Sequence, residues 1–312
     1  MYQQMCRIAV AVGARAVLLE NVPNMLLMRR GHFRNLITQA LSESGFSDIA
    51  IRTLNAADYG VPQARQRVFI LALRPEAARV PAIDALDVVA ESLRADLCSV
   101  DEAIGDLPAE PAHDSLVSLP YPKVSRPTKF QREMRLDKSG SIYAQDVKRG
   151  QYSLSRGAIR LENHHTKDIQ ARRLALIKLL APGAKADSLP VEVWNNARPE
   201  KWRRFDGSRP AHTLLAQMHR DLSEWVHPQL DRWITVREAL RLQSFHDGFV
   251  LETSEWQQLK QVGNAVPPLL GRIPATAARI ALTGESLESL GGRVRGQLSL
   301  FTSRSARQLS ER

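Results

Sequence analysis

The chain has 312 residues, 44% of them hydrophobic and 24% charged, which suits a globular protein of one large domain or two ordinary ones. A formal charge of +10 and a pI of about 10.0 favour a polyanionic partner, nucleic acid first among them. Cys6 and Cys98 are far apart and lack metal-ligand spacing, so no disulfide framework and no metal are expected. No apolar run is long enough to span a membrane and no signal peptide opens the chain, so a cytoplasmic protein without a membrane partner is expected.

Met5, Ile8, Ala9 and Val12 repeat at helical spacing, and Gly13 ends that helix. Ala16 to Leu19 is a short apolar run that reads as a buried strand, with Glu20 at its C-terminal end and Pro23 stopping it. Open α/β sheets place ligands at such strand ends, although a carboxylate there can equally be solvated. Phe33, Leu36, Ile37, Ala40 and Leu41 form an amphipathic stripe closed by Gly45. Ile49 to Leu54 reads as a strand, Asn55 to Arg67 as a polar loop and Val68 to Leu73 as a second buried strand. Residues 1–75 therefore read as part of an α/β layered domain.

From about Pro81 to His227 prolines scatter, basic residues cluster and periodicity weakens, so residues 76–230 read as a loop-rich second domain. One helix stands out, with Ile169, Leu174, Ile177 and Leu180 on its apolar face and Pro182-Gly183 at its end. Trp202-Arg203-Arg204-Phe205 sets cations beside aromatics, either as a phosphate-and-stacking surface or as Arg-on-Trp packing. Thr235 and Glu238 have capping-box spacing, so a helix begins at Val236. Gln257 to Val262 reads as helical. A last helix starts at Pro267-Pro268, carries Leu269, Leu270, Ile273, Ala277 and Ile280 on one face, and should kink at Pro274. Residues 231–282 are expected to return to the first domain, and 283–312 to be a disordered basic tail.

Four segments, in this order, resemble the DNA cytosine-5 methyltransferase family. Leu19-Glu20-Asn21-Val22-Pro23 resembles its Glu-Asn-Val motif, and Asn55 to Arg67 resembles its Gln-x-Arg-x-Arg motif through Gln63, Arg65 and Arg67. Arg237 to Phe249 and Gln261 to Pro268 resemble its ninth and tenth motifs. The resemblance covers roughly residues 1–74 and 200–281, and the middle falls where the family keeps a variable target-recognition domain. It implies the later part of a Rossmann-like methyltransferase domain with a loop-rich recognition domain inserted.

The resemblance also implies a chemistry. A cysteine thiolate adds to carbon 6 of a flipped-out cytosine, and carbon 5 then takes a methyl group from S-adenosylmethionine. Glu20 matches the carboxylic acid that serves nitrogen 3, and Arg67 the guanidinium at oxygen 2. Arg65 matches a neighbour that holds the site's geometry or a phosphate. Asn264 and Val266 match positions beside the methionine end of the cofactor. Gln63, Arg203 and Arg204 are candidates for contact with double-stranded DNA. The setting implied is restriction-modification or phage defence.

No Pro-Cys occurs in the 312 residues, and no Gly-rich cofactor loop precedes Glu20. The expectation is a truncated chain, or the C-terminal subunit of a split enzyme whose N-terminal partner carries the Pro-Cys motif, with the isolated chain inactive. The alternative is a non-catalytic DNA-binding accessory protein. Gln297-Leu298-Ser299-Leu300-Phe301 resembles the peptide with which bacterial proteins dock on the sliding clamp, so such docking is a further expectation.

Overall fold

A computed structural model of the chain describes residues 2–114, 117–135, 160–194, 202–216 and 224–286. The pentapeptide from Gln297 to Phe301 lies outside the described residues. The chain divides into two compact units: Met1–Tyr59 with Gln66–Asp96 and the segment from Leu269 onward, and Gly60–Arg65 with Leu97–Pro268. These units divide the chain differently from the stretches read in the sequence. Residues 76–96 cluster with the first unit rather than with the loop-rich region, and residues 231–268 cluster with the second.

The first unit holds α1 (Tyr2–Ala11), β1 (Ala16–Asn21), α2 (Asn24–Leu27), α3 (His32–Glu43) and β2 (Asp48–Asn55). After the excursion through β3 (Gln63–Ala64), which belongs to the second unit, come β4 (Gln66–Leu73) and α4 (Ala82–Ser92). The sheet order is β1-β4-β2, and β4 runs antiparallel to both neighbours. The continuous apolar run Val68 to Leu73 is buried on both faces, as a central strand requires. Val68, Ile70 and Ala72 pack with Cys6 and Ala9 of α1 and with Ile37 and Leu41 of α3. On the other face, α4 lies against β2 and β4. Arg52 of β2 pairs with Asp87 of α4 at 2.7 Å, and the Asp48 carboxylate accepts from the Ala82 amide at 3.0 Å.

The second unit has short strands. β3 pairs in parallel with β8 (Ala211–His212), and β7 (Trp202–Arg204) in parallel with β9 (Glu224–Val226). β5 (Leu119–Pro120) pairs antiparallel with β6 (Arg160–Leu161). Its helices are α5 (Val100–Ile104), α6 (Lys129–Met134), α7 (Ala171–Lys178), α8 (Val236–Leu242) and α9 (Glu255–Asn264). One apolar core joins Ile177 and Leu180 to Ala186, Leu189, Trp202, Val226 and Trp233.

Polar groups bind the rest of this unit together. The fully buried Arg241 reaches both carboxylate oxygens of Asp247, the Asp106 carboxylate and the Ala103 carbonyl. Glu238 closes the capping box with Thr235 and takes two hydrogen bonds from Arg232, which hold its carboxyl down at about 2 against the cost of burial. The chain ends its described part in α10 (Pro268–Thr283), which runs on through Pro274; from Leu269 it belongs to the first unit, where the Ala281 carbonyl accepts from the Arg79 amide at 2.7 Å.

Candidate active site

Strand register brings Glu20 and Arg67 together. Glu20 stands opposite Phe69 in the β1–β4 ladder, and Arg67 lies two residues from Phe69 on the same face. The two side chains are thus diagonal neighbours, a separation that long side chains bridge. Arg67 Nε donates to Glu20 Oε1 at 2.8 Å. Burial lowers the Arg67 guanidinium from its ordinary value while Glu20 pulls it back up. A third of the Glu20 side chain (32%) stays exposed, so the pair remains open to a ligand. The segment Asn55 to Arg67 reads as a loop in sequence. In the structure Arg67 is strand, paired with Leu54 of β2, and this fixes its direction.

Arg65 does something different. It is fully buried, and it donates to the Leu214 carbonyl at 2.8 Å and the Gly263 carbonyl at 2.6 Å. Gln63 is equally buried. Its amide nitrogen donates to the Leu242 carbonyl at 3.2 Å and its amide oxygen accepts from the Leu214 amide at 3.0 Å. The Gln63 amide, expected from the sequence to touch DNA, makes both of these hydrogen bonds inside the second unit. Together Gln63 and Arg65 tie three segments, at Leu214, at the end of α8 and at the end of α9. Gly263 is needed there because a Cβ would come within 2.5 Å of the Ala216 backbone.

Beyond that brace, Asn264 and Ala265 line an open groove of 590 Å³ with Trp256, Gln257, Lys260 and Gln261. Trp256, Lys260 and Asn264 are four residues apart along α9 and share one face. Lys260 Nζ sits 5.4 Å from the Trp256 ring. Val266 is half-buried and lies outside this lining. The sequence reading missed Trp256 and Lys260, although their helical spacing from Asn264 signals a common face.

The two arginines of β7 part company. Arg204 is 5% exposed, and its guanidinium donates to the carbonyls of Ile177, Leu180, His227 and Leu230 and pairs with Asp231. Expected from the sequence as a DNA contact, it is held here by partners within the second unit. Arg203 alternates outward, 5.7 Å from the Trp225 ring. Both cysteines are buried, and burial pushes the Cys98 thiol up to about 12. Among the described residues no group of three or more His, Cys, Asp or Glu side chains is arranged to hold a metal, and no helix is long and apolar enough to cross a membrane.

The C-5 cytosine-specific DNA methylase family matches residues 1–278. The chain belongs to this family. Two methylase relatives are the type II methyltransferase M.AgeI of Thalassovita gelatinovora and the type II methyltransferase M.DdeI of Desulfomicrobium norvegicum. M.AgeI is 31% identical over 86% of this chain and 74% of its own length. M.DdeI is 30% identical over 86% of this chain and 63% of its own. Among solved structures, a prophage-encoded Escherichia coli protein assigned as a DNA modification methyltransferase superposes with a TM-score of 0.64. At 20% identity, over 91% of this chain and 74% of that one, this likeness bears on the methylase fold alone.

Proposed function

We propose that this chain serves DNA cytosine-5 methylation, in a type II restriction-modification setting like that named for its relatives, and that the nucleophilic cysteine comes from polypeptide outside these 312 residues. The observation that carries the proposal is the Glu20–Arg67 pair, 2.8 Å apart on neighbouring strands and partly open to solvent. Thiolate addition to carbon 6 of cytosine drives electron density onto nitrogen 3 and oxygen 2. Glu20 shares a proton with nitrogen 3, and Arg67 offers guanidinium N–H groups to oxygen 2. The ion pair holds the arginine in place before the base arrives, so little reorganisation accompanies the step. The base reaches them only by leaving the duplex.

S-adenosylmethionine supplies the methyl group when bound. Asn264, Gln261 and Lys260 suit its methionine end, because an amide and an ammonium complement a carboxylate and an amine, and the groove they line is open. Arg65 and Gln63 act through other residues. They hold the C-terminal end of α9, at Gly263, and the Leu214 segment in fixed relation, which makes them positioning residues. Cys6 and Cys98 are both buried, and burial pushes the Cys98 thiol up to about 12, which favours a nucleophile delivered from elsewhere.

The test is methyl transfer from tritiated S-adenosylmethionine to a cytosine-containing duplex. The chain is assayed alone and then fused to, or mixed with, a polypeptide carrying the family's Pro-Cys motif. Transfer is expected only in the second case, and Glu20→Gln or Arg67→Gln should abolish it. Transfer that survives both substitutions would sink the assignment. Duplex binding without transfer in any combination would favour the accessory-protein reading.

A further inference from the structure

Two basic side chains from separate strands of the second unit, Arg203 and His212, lie against one aromatic ring, and Lys185 is bridged to the first of them. In β7, Trp202 and Arg204 turn inward and Arg203 between them turns out. Its partner across the parallel ladder is Trp225 of β9. Trp225 stacks on Phe205 with centroids 4.6 Å apart and planes 2° apart, so the indole is a fixed platform. His212, the exposed residue of β8, lies 6.1 Å from the same ring with planes 22° apart. Lys185 forms an antiparallel bridge with Arg203.

The charges acting on His212 are those of Arg203 and Lys185, both positive. Among the described residues none of the three forms an ion pair with a carboxylate, whereas Arg204, one residue away from Arg203, pairs with Asp231. Arg203 and Lys185, like charges without an ion-pair partner among the described residues, repel one another, and the arrangement gains stability from an incoming polyanion. Arg203 is additionally fixed over an aromatic face, which reduces the side-chain freedom lost when it binds.

We infer that Lys185, Arg203 and His212 form a clamp for the phosphodiester backbone of double-stranded DNA. The inference rests on the DNA-methylation reading and extends it from Arg203, a DNA-contact candidate in the sequence, to Lys185 and His212, which the sequence did not single out. Trp225 is 5% exposed and serves as the floor, not as a stacking partner for a base. The clamp therefore positions the duplex and carries no sequence preference.

The test is fluorescence anisotropy of a labelled duplex titrated with the full chain at several salt concentrations, at pH 8. His212, held below its ordinary value by burial and by its two cationic neighbours, is neutral there. Each phosphate neutralised contributes about 0.9 to the slope of log K against log salt. Lys185→Gln and Arg203→Gln should each flatten the slope by about 1, and the double variant by about 2, equally on two unrelated sequences. His212→Asn should weaken binding at every salt concentration and leave the slope alone, because a neutral imidazole releases no counterion. Arg7→Gln on α1 should change nothing. Unchanged slopes in Lys185→Gln and Arg203→Gln, with binding intact, overturn the clamp and leave the DNA reading standing. An equal loss in Arg7→Gln also overturns it, since the assay then reads bulk charge. No duplex binding by the unaltered chain overturns the DNA reading and the clamp with it.

Discussion

Arg65 and Arg67 are two residues apart, yet replacing them should damage different properties. Arg65→Met keeps a similar volume but removes the donors that serve the carbonyls of Leu214 and Gly263, at 2.8 and 2.6 Å. Both bonds are charge-assisted and fully buried. A hydrogen bond to a charged group contributes roughly 1.5–3 kcal/mol, so losing the two costs about 3–6 kcal/mol and leaves buried carbonyls without these partners. For a unit of this size, at about 2–4 °C per kcal/mol, the midpoint of its thermal unfolding should fall by about 10 °C. Arg67→Gln removes an ion pair whose carboxylate is 32% exposed, and solvent screening limits that loss to about 1 kcal/mol or less. The assays are thermal and urea unfolding of both variants, followed by methyl transfer in the cysteine-complemented enzyme. Arg65→Met should be unstable with residual transfer in whatever remains folded, and Arg67→Gln stable and inactive. An Arg65→Met protein within about 0.5 kcal/mol of the unaltered chain, the usual scatter of surface substitutions, would refute the brace.

Other outcomes follow from the same contacts. Gly263→Ala places a methyl group 2.5 Å from the Ala216 backbone, so it should cost about 1–3 kcal/mol and weaken cofactor binding, read by calorimetry with S-adenosylmethionine. His227 and His246 are both held down to about 4 by burial, and His227 Nδ1 accepts from the amides of Gln229 and Leu230, which only the neutral ring can do. A histidine whose folded pKa is depressed contributes stability that is complete above about 6.5 and is lost as pH falls toward 4. Glu238, depressed to about 2, extends the loss from its unfolded value downward. A Tm that stays flat between pH 7 and 4.5 would contradict this. Cys6→Ala and Cys98→Ala should leave methyl transfer by the complemented enzyme intact, because both thiols are buried; loss of transfer with normal folding would reopen the choice of nucleophile.

Periodicity made the first unit legible and left much of the second illegible. The stripe from Phe33 to Leu41 and the apolar run Val68 to Leu73 appear as α3 and β4, since each buries a face that its spacing defines. The capping box at Thr235 appears as read. The same Ser/Thr-x-x-Glu/Gln spacing at Ser99 and at Thr128 starts α5 and α6, but each helix is too short to show a stripe. α4 has its apolar residues at Ala82, Ala85, Leu86 and Val89, a helical pattern overshadowed by the prolines around and beyond it. The buried network of Arg241, Asp106, Asp247 and Tyr121 left no signal, because charged residues read as surface until their partners, up to 135 residues away, are known.

The Gln-x-Arg-x-Arg motif shows why residue identity alone does not give a role. Gln63, Arg65 and Arg67 alternate, so in one continuous strand they would share a face and serve one ligand. The strand does not continue. β3 ends at Ala64, β4 begins at Gln66, and Arg65 sits at the break. β3 pairs with β8 and β4 pairs with β1 and β2, so the outer two members of the motif belong to different sheets. Gln63 and Arg65 therefore turn to backbone groups of the second unit, while Arg67 alone meets Glu20. The spacing that looks like one polar face divides into bracing by Gln63 and Arg65 and the Glu20–Arg67 ion pair. A substitution that restored strand pairing at Arg65 should disturb both, and one that altered only the Arg67 guanidinium should disturb only the chemistry.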